Sequence, residues 1–195
     1  CTARIISMTI DLRERILNEA ALRFVASGYH AVSMREIAEG VGASKASIYY
    51  HFTDKETLLL AIMEHSLIQL QRIVAAATTM PGTIETKLIA IVDGLLGLDA
   101  VQRAAMRLAM VELQHVGEAA RRSFAQRYDA QFITPIRALL TAGMRAGTVR
   151  ELDVVTTTWA FLGLLYPFSM MAQRSRDTRP DSQALVTLFL RGIQA

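Results

Sequence analysis

The sequence predicts an all-α chain of about nine helices: a small N-terminal three-helix unit built around a helix-turn-helix, with a larger helical body behind it. Three observations carry this. Apolar residues recur at helical spacing along nearly every segment. No Asn-Gly or Asp-Gly turn stands between runs of two-residue alternation, so no hairpin is signalled. Only 4 Pro and 11 Gly interrupt 195 residues, which suits helices and excludes a collagen-like or linker-rich chain.

The first helix is expected over about 11–27, with Leu17, Ala20, Ala21 and Phe24 on one face and Gly28 placed to end it. Ser33 and Glu36 form a capping box, S-x-x-E, that starts the second helix; Ile37, Ala38 and Val41 are its apolar face and Gly42 breaks it. Ser44 caps a third helix over about Lys45 to His51. Thr53 and Glu56 are expected to box the fourth, whose stripe is Leu58, Leu59, Ile62, Leu70, Ile73 and Ala77, ending at Met80-Pro81-Gly82. Further helices are expected over about 84–97, over about 100–114 behind Asp99, and over about 118–146 with a kink at Pro135. The last two run over about 153–173, with Pro167 inside, and about 182–193 behind Asp181. The shift in composition near 54–60 divides the chain into 9–55 and 56–195.

With 52% hydrophobic and 20% charged residues the chain can bury a core and is not disordered. Its single cysteine, Cys1, excludes a disulfide framework and a cysteine zinc site, and fits a reducing cytoplasm. A net charge of +3 does not argue for nucleic acid by itself, so that partner must be argued from local residues. Cys1 to Met8 has no leader-like pattern, and Met8 is the expected natural start. Val154 to Gln173 is 20 consecutive uncharged residues, long enough to span a bilayer. It holds three threonines, a serine and a proline, and a helix buried between protein layers reads the same way, so no membrane partner is expected.

Ser33 to Lys55 is the informative stretch. Two short helices crossing through a tight turn need a small residue where they meet, a turn residue that tolerates positive φ, and a branched apolar seal. Ala38, Gly42 and Ile48 stand at those places, at the helix-turn-helix spacing. In such a unit the second helix enters the major groove of DNA. Lys45, Tyr50 and His51 lie on its exposed side, with no acid among them, and Ser44, Ala46 and Ser47 are small enough for close approach to phosphate. Arg35 suits a bidentate guanine contact. Lys55 is a cation at a helix N-terminus, a local cost that a phosphate contact would offset. Tyr49 and Phe52 can equally be core, and helix pairs also cross this way without touching DNA.

Residues 11–58 resemble the N-terminal domain of the TetR family of bacterial transcription regulators, through F-V-A-S-G-Y, then S-M-R-E-I-A-E-G-V-G-A-S-K-A-S-I-Y-Y-H-F, then K-E-T-L. The resemblance implies an all-α, homodimeric, ligand-responsive repressor on a palindromic operator in double-stranded DNA. By position it implies DNA contacts at Arg35, Ser44, Lys45, Ala46, Ser47, Tyr49, Tyr50 and His51, and a phosphate contact at Lys55. Ser33, heading the second helix, joins that candidate set. Val32 departs from the threonine common in the family.

The helix over 153–173 has no polar face: Trp159, Leu162, Tyr166 and Met170 lie on one side, Phe161, Leu165, Phe168 and Ala172 on another. One side fits the chain's own core and the other a partner subunit. With the helix over 182–193 (Leu185, Leu188, Phe189, Ile193) it would make an isologous four-helix contact; a single monomeric core is the alternative. Met106, Met110, His115, Tyr128, Phe132, Trp159, Tyr166 and Met170 are candidates to line a pocket for an apolar or aromatic effector, with Arg107, Glu112 or His115 as polar anchors. At helical spacing each can equally be plain core.

Glu112 and His115 form a single E-x-x-H pair, whereas a di-iron bundle needs two such pairs and two more carboxylates. No metal, cofactor or enzymatic activity is therefore expected, and no nucleophile motif accompanies His30, His51, His65 or His115. A helical adaptor that binds only protein remains the other class. It differs in showing no salt-dependent binding to DNA.

Overall fold

The computed structural model describes residues 11–170 and 180–193, except for the side chains of 168–170. Ten α-helices run through the described residues, and none of these residues is in a strand. The N-terminal unit is α1 (Leu12–Ser27), α2 (Met34–Gly40) and α3 (Lys45–His51). The body is α4 (Lys55–Thr79), α5 (Ile84–Leu96), α6 (Ala100–Val111), α7 (Glu118–Tyr128), α8 (Thr134–Arg145), α9 (Val154–Met170) and α10 (Ser182–Ile193).

Local chemistry sets the starts. The Ser33–Glu36 capping box closes in both directions, and the Ser44 hydroxyl accepts the Ser47 N–H at 3.1 Å. Asp99 forms a second box with Gln102, and Asp181 accepts the Gln183 N–H at 3.0 Å. The start of α4 corrects the expectation: Asp54, not Thr53, is the cap, its carboxylate accepting the Thr57 N–H at 2.7 Å. A carboxylate gains more than a hydroxyl from the positive end of a helix. Glu56, the expected partner of Thr53, instead accepts the Gly117 N–H at 2.8 Å.

Two further expectations are corrected. The helix expected to 114 ends at Val111 and passes into a 3-10 turn, Leu113–His115. The helix expected over 118–146 is α7 and α8 joined by a π turn, Asp129–Ile133. Pro135 has no N–H to offer the carbonyl four residues back. The winding widens just before it, and the Thr134 N–H bonds the Asp129 carbonyl, five residues back. This split raises the count from nine helices to ten.

α4 is the shared beam. It packs against α1, α5, α6 and α8, burying Leu58, Leu59, Ile62, Met63, Leu67, Leu70 and Val74. It is also the one described helix long and apolar enough to cross a membrane; half of that stretch is buried inside the protein, as befits a core helix. α1 lies on α6 as well as α4, so the N-terminal unit is seated directly on the body. Residues 171–173 of the uncharged run from 154 lie outside the described residues.

Candidate nucleic-acid interface and apolar cavity

α2 and α3 meet as the helix-turn-helix spacing requires. Ala38 and Ile48 are buried, Gly42 takes φ +66°, and the Ala43 N–H bonds the Ala38 carbonyl at 2.8 Å to close the turn. Phe52 joins this core. Tyr49 does not: it is 42% exposed, and Tyr50 is 87% exposed. The Lys45 ammonium lies 5.8 Å from the Tyr49 ring centre, and His51 sits edge-on to Tyr50 at 5.4 Å. The outer face of α3 is therefore a cation flanked by aromatic rings with no carboxylate on the same helix. Ala46 is exposed and Ser47 half-buried.

Other expected contacts already have partners within the protein. Arg35 pairs with Glu39 at 2.7 Å, and that carboxylate holds the guanidinium above its ordinary pKa. Ser33 gives its hydroxyl and N–H to Glu36, and Ser44 shares its hydroxyl with Ser47. Lys55 departs most from expectation. Its ammonium lies 4.5 Å from the centre of the Tyr29 ring and donates to the His30 carbonyl at 3.3 Å. Burial pulls its pKa down, against the upward pull of Glu36 and Glu112. The offset for its place at the helix N-terminus thus comes first from the protein.

Tyr29 and His30, between α1 and α2, meet the end of α6. His30 Nε2 lies 3.2 Å from His115 Nδ1, and the rings cross at 85°. Tyr29 stacks on His115 at 5.9 Å, and His115 Nε2 is 3.3 Å from Glu112 Oε2. Burial pushes the Tyr29 phenol up, helped by Glu56, Asp54 and Glu112. Sequence reasoning gave these residues no joint role, because the pairing spans 85 positions.

Inside the body is a cavity of about 460 Å³. Met106, Met110, Tyr128, Phe132, Trp159 and Tyr166 are in its lining. His115 does not: it is held in the joint with His30, on the head side of the 3-10 turn. Neither Arg107 nor Glu112 reaches it. Met170 lies outside the described side chains. Missed from sequence is the wall given by α4, with Met63, Ser66, Leu67 and Leu70. Ser66, one polar residue inside an apolar stripe, was the available signal. A second space of about 140 Å³, lined by polar groups of α1, α4 and α6, adjoins it at Ser66. Among the described residues no cluster of three or more potential metal ligands occurs.

Residues 16–62 match the family model described as bacterial regulatory proteins, tetR family. For the first curated relatives matched, the chain spans only 33% or 34% of their length. KstR2 of Rhodococcus jostii, an HTH-type transcriptional repressor, is 26% identical over 147 residues, 73% of this chain and 70% of that one. The crystal structure of PfmR, a TetR-family regulator from Thermus thermophilus, superposes with a TM-score of 0.79 at 25% identity, covering 93% of this chain and 100% of that one. AibR, solved with isovaleryl coenzyme A and operator DNA, has a TM-score of 0.75 at 20% identity over 93% of this chain and 97% of that one, a likeness of fold. The N-terminal match and the whole-chain superposition agree: residues 16–62 carry the tetR-family regulatory domain, and the chain as a whole has the fold of TetR-family regulators.

Proposed function

We propose that this chain is a cytoplasmic, homodimeric transcriptional repressor that leaves a palindromic operator when a small apolar molecule enters the body. Residues 9–55 serve as the reading head and 56–195 as the effector and pairing domain. The observation that carries the reading is the outward face of α3, where Lys45, Tyr49 and Tyr50 stand exposed on a closed helix-turn-helix. Lys45, Ala46, Ser47, Tyr49, Tyr50 and His51 would meet the major groove, with Ser33, Ser44 and Lys55 toward phosphate and Arg35 swinging from Glu39 to a base. No step in this role is catalytic.

Coupling runs through α6. One side of this helix lines the cavity and another packs on α1. A ligand that displaces α6 tilts the head and moves the His30–His115 contact with it. A coupling of about 1–3 kcal/mol weakens operator binding by roughly 5–150-fold. Pairing is assigned to α9 and α10, where Val155 and Leu188 are exposed away from the cavity lining. A symmetric pair would set two α3 helices about 34–36 Å apart, one turn of DNA.

Footprinting on DNA upstream of the chain's own gene tests the reading. A protected inverted repeat with half-sites one turn apart is expected. Protection without symmetry, or none at any salt concentration, would overturn it.

A further inference from the structure

The lining of the 460 Å³ cavity is unusual in what it omits. Among the described residues it contains no Lys, Arg, Asp, Glu or His. An ionised ligand group would lose its water there and meet no counter-charge. Three hydroxyl-bearing residues from different walls stand in its lining: Ser66 on α4, 5% exposed, Tyr128 at the end of α7, and Tyr166 on α9 at the mouth. Ser66 and Tyr128 make no hydrogen bond to any described residue. A site built around hydroxyls open to bonding disfavours molecules that cannot satisfy them. Burial alone pushes the Tyr128 phenol up to about 12, so at neutral pH it keeps its proton and can donate it.

We infer that the cavity takes an uncharged lipophilic molecule carrying a carbonyl or hydroxyl oxygen, which Tyr128 and Ser66 hold by hydrogen bonds. This rests on reading the cavity as the effector site. Anionic acyl groups and pure hydrocarbons are disfavoured as tight ligands, and a quaternary amine has only the aromatic ring faces of the lining to offset its lost water. The space accommodates on the order of 15 water-sized groups at about 30 Å³ each. Met110, Trp159 and Tyr166, each about half exposed, mark a mouth between α6 and α9 through which a longer tail can emerge.

Trp159, the only tryptophan in the sequence, lies in that mouth and reports on occupancy. The full chain is titrated with 2-dodecanone, 1-dodecanol, dodecanoate and dodecyltrimethylammonium, all below micelle formation. Trp159 fluorescence is read, and equilibrium dialysis counts bound probe. The ketone and the alcohol are expected to bind at least tenfold tighter than either charged probe. Tyr128→Phe is expected to weaken the ketone about tenfold, and Ser66→Ala to weaken ketone or alcohol several-fold, with the melting temperature of each variant little changed. Charged probes binding as tightly as neutral ones, both variants binding like the parent, or no probe binding at all would each overturn the inference. Gel retardation with the upstream DNA is run on the same samples. DNA binding that is absent, or unmoved by bound ketone, removes the regulator reading and leaves the ligand assignment standing.

Discussion

Lys55 shows how one side chain can serve two purposes. Its ammonium rests on the Tyr29 ring and bonds the His30 carbonyl, so it fastens the α1–α2 loop to the start of α4. Such a cation–π contact is worth about 0.5–1 kcal/mol at a partly exposed site. Lys55→Ala is expected to lower stability by about that much and to weaken DNA binding equally across sequences. Arg35→Ala, by contrast, is expected to leave stability unchanged, since its pair with Glu39 is exposed, and to relax preference at one base position roughly tenfold or more. Binding to a panel of single-base operator variants separates the two; identical profiles would remove the assigned roles. Asp54 gives a pH-dependent counterpart. Its carboxyl is held below the ordinary value of 3.8, first by the Thr57 N–H and then by the Thr57 hydroxyl. A depressed folded value means the cap stabilises fully above about pH 3.8 and is lost as pH falls through the folded value. Asp54→Ala should cost about 1 kcal/mol at pH 7 and progressively less as pH falls from 3.8 through the depressed folded value, read as a difference in melting temperature.

At the scale of elements, helix starts were legible because a cap is local. Ser33, Ser44, Asp99 and Asp181 each bond an N–H two or three positions on, within reach of a motif. At Thr53-Asp54 two residues in adjacent registers both satisfy the cap pattern, and only the geometry separates them. The head was legible for a related reason: Ala38, Gly42 and Ile48 each meet a steric demand that few residues satisfy. Gly42→Ala isolates the backbone part of that demand, because an added Cβ at Gly42 meets nothing within 4 Å while φ stays at +66°. We expect a loss of about 1–2 kcal/mol, measured by thermal melting, with weaker DNA binding as α3 loses its set. The cavity was only partly legible. Periodicity shows which face of a helix turns inward, not whether the space there is filled, so Leu70 reads as core while it also forms a wall.

At the scale of the molecule, the proposed coupling of head and cavity has two contacts to use: α6 on α1, and His115 of the 3-10 turn, 3.2 Å from His30. His115→Ala is expected to leave ligand binding and DNA binding each within a few-fold of the parent while shrinking the effect of one on the other. Operator affinity with and without saturating ligand measures this; an undiminished effect would return the whole coupling to α1 and α6. Operator affinity should also fall steeply with salt, with a log–log slope of about −0.9 for each phosphate neutralised. The π turn at Asp129–Ile133 amounts to one surplus residue wound into an otherwise continuous helix, and each residue of a helix turns the chain by about 100°. Deleting that residue would rotate Phe124 and Tyr128 by about a quarter-turn relative to Phe132. The floor of the chamber would be rebuilt with every lining side chain intact. Under the proposed effector role, a single-codon deletion or insertion at this point is expected to change ligand choice more than a substitution in the lining does.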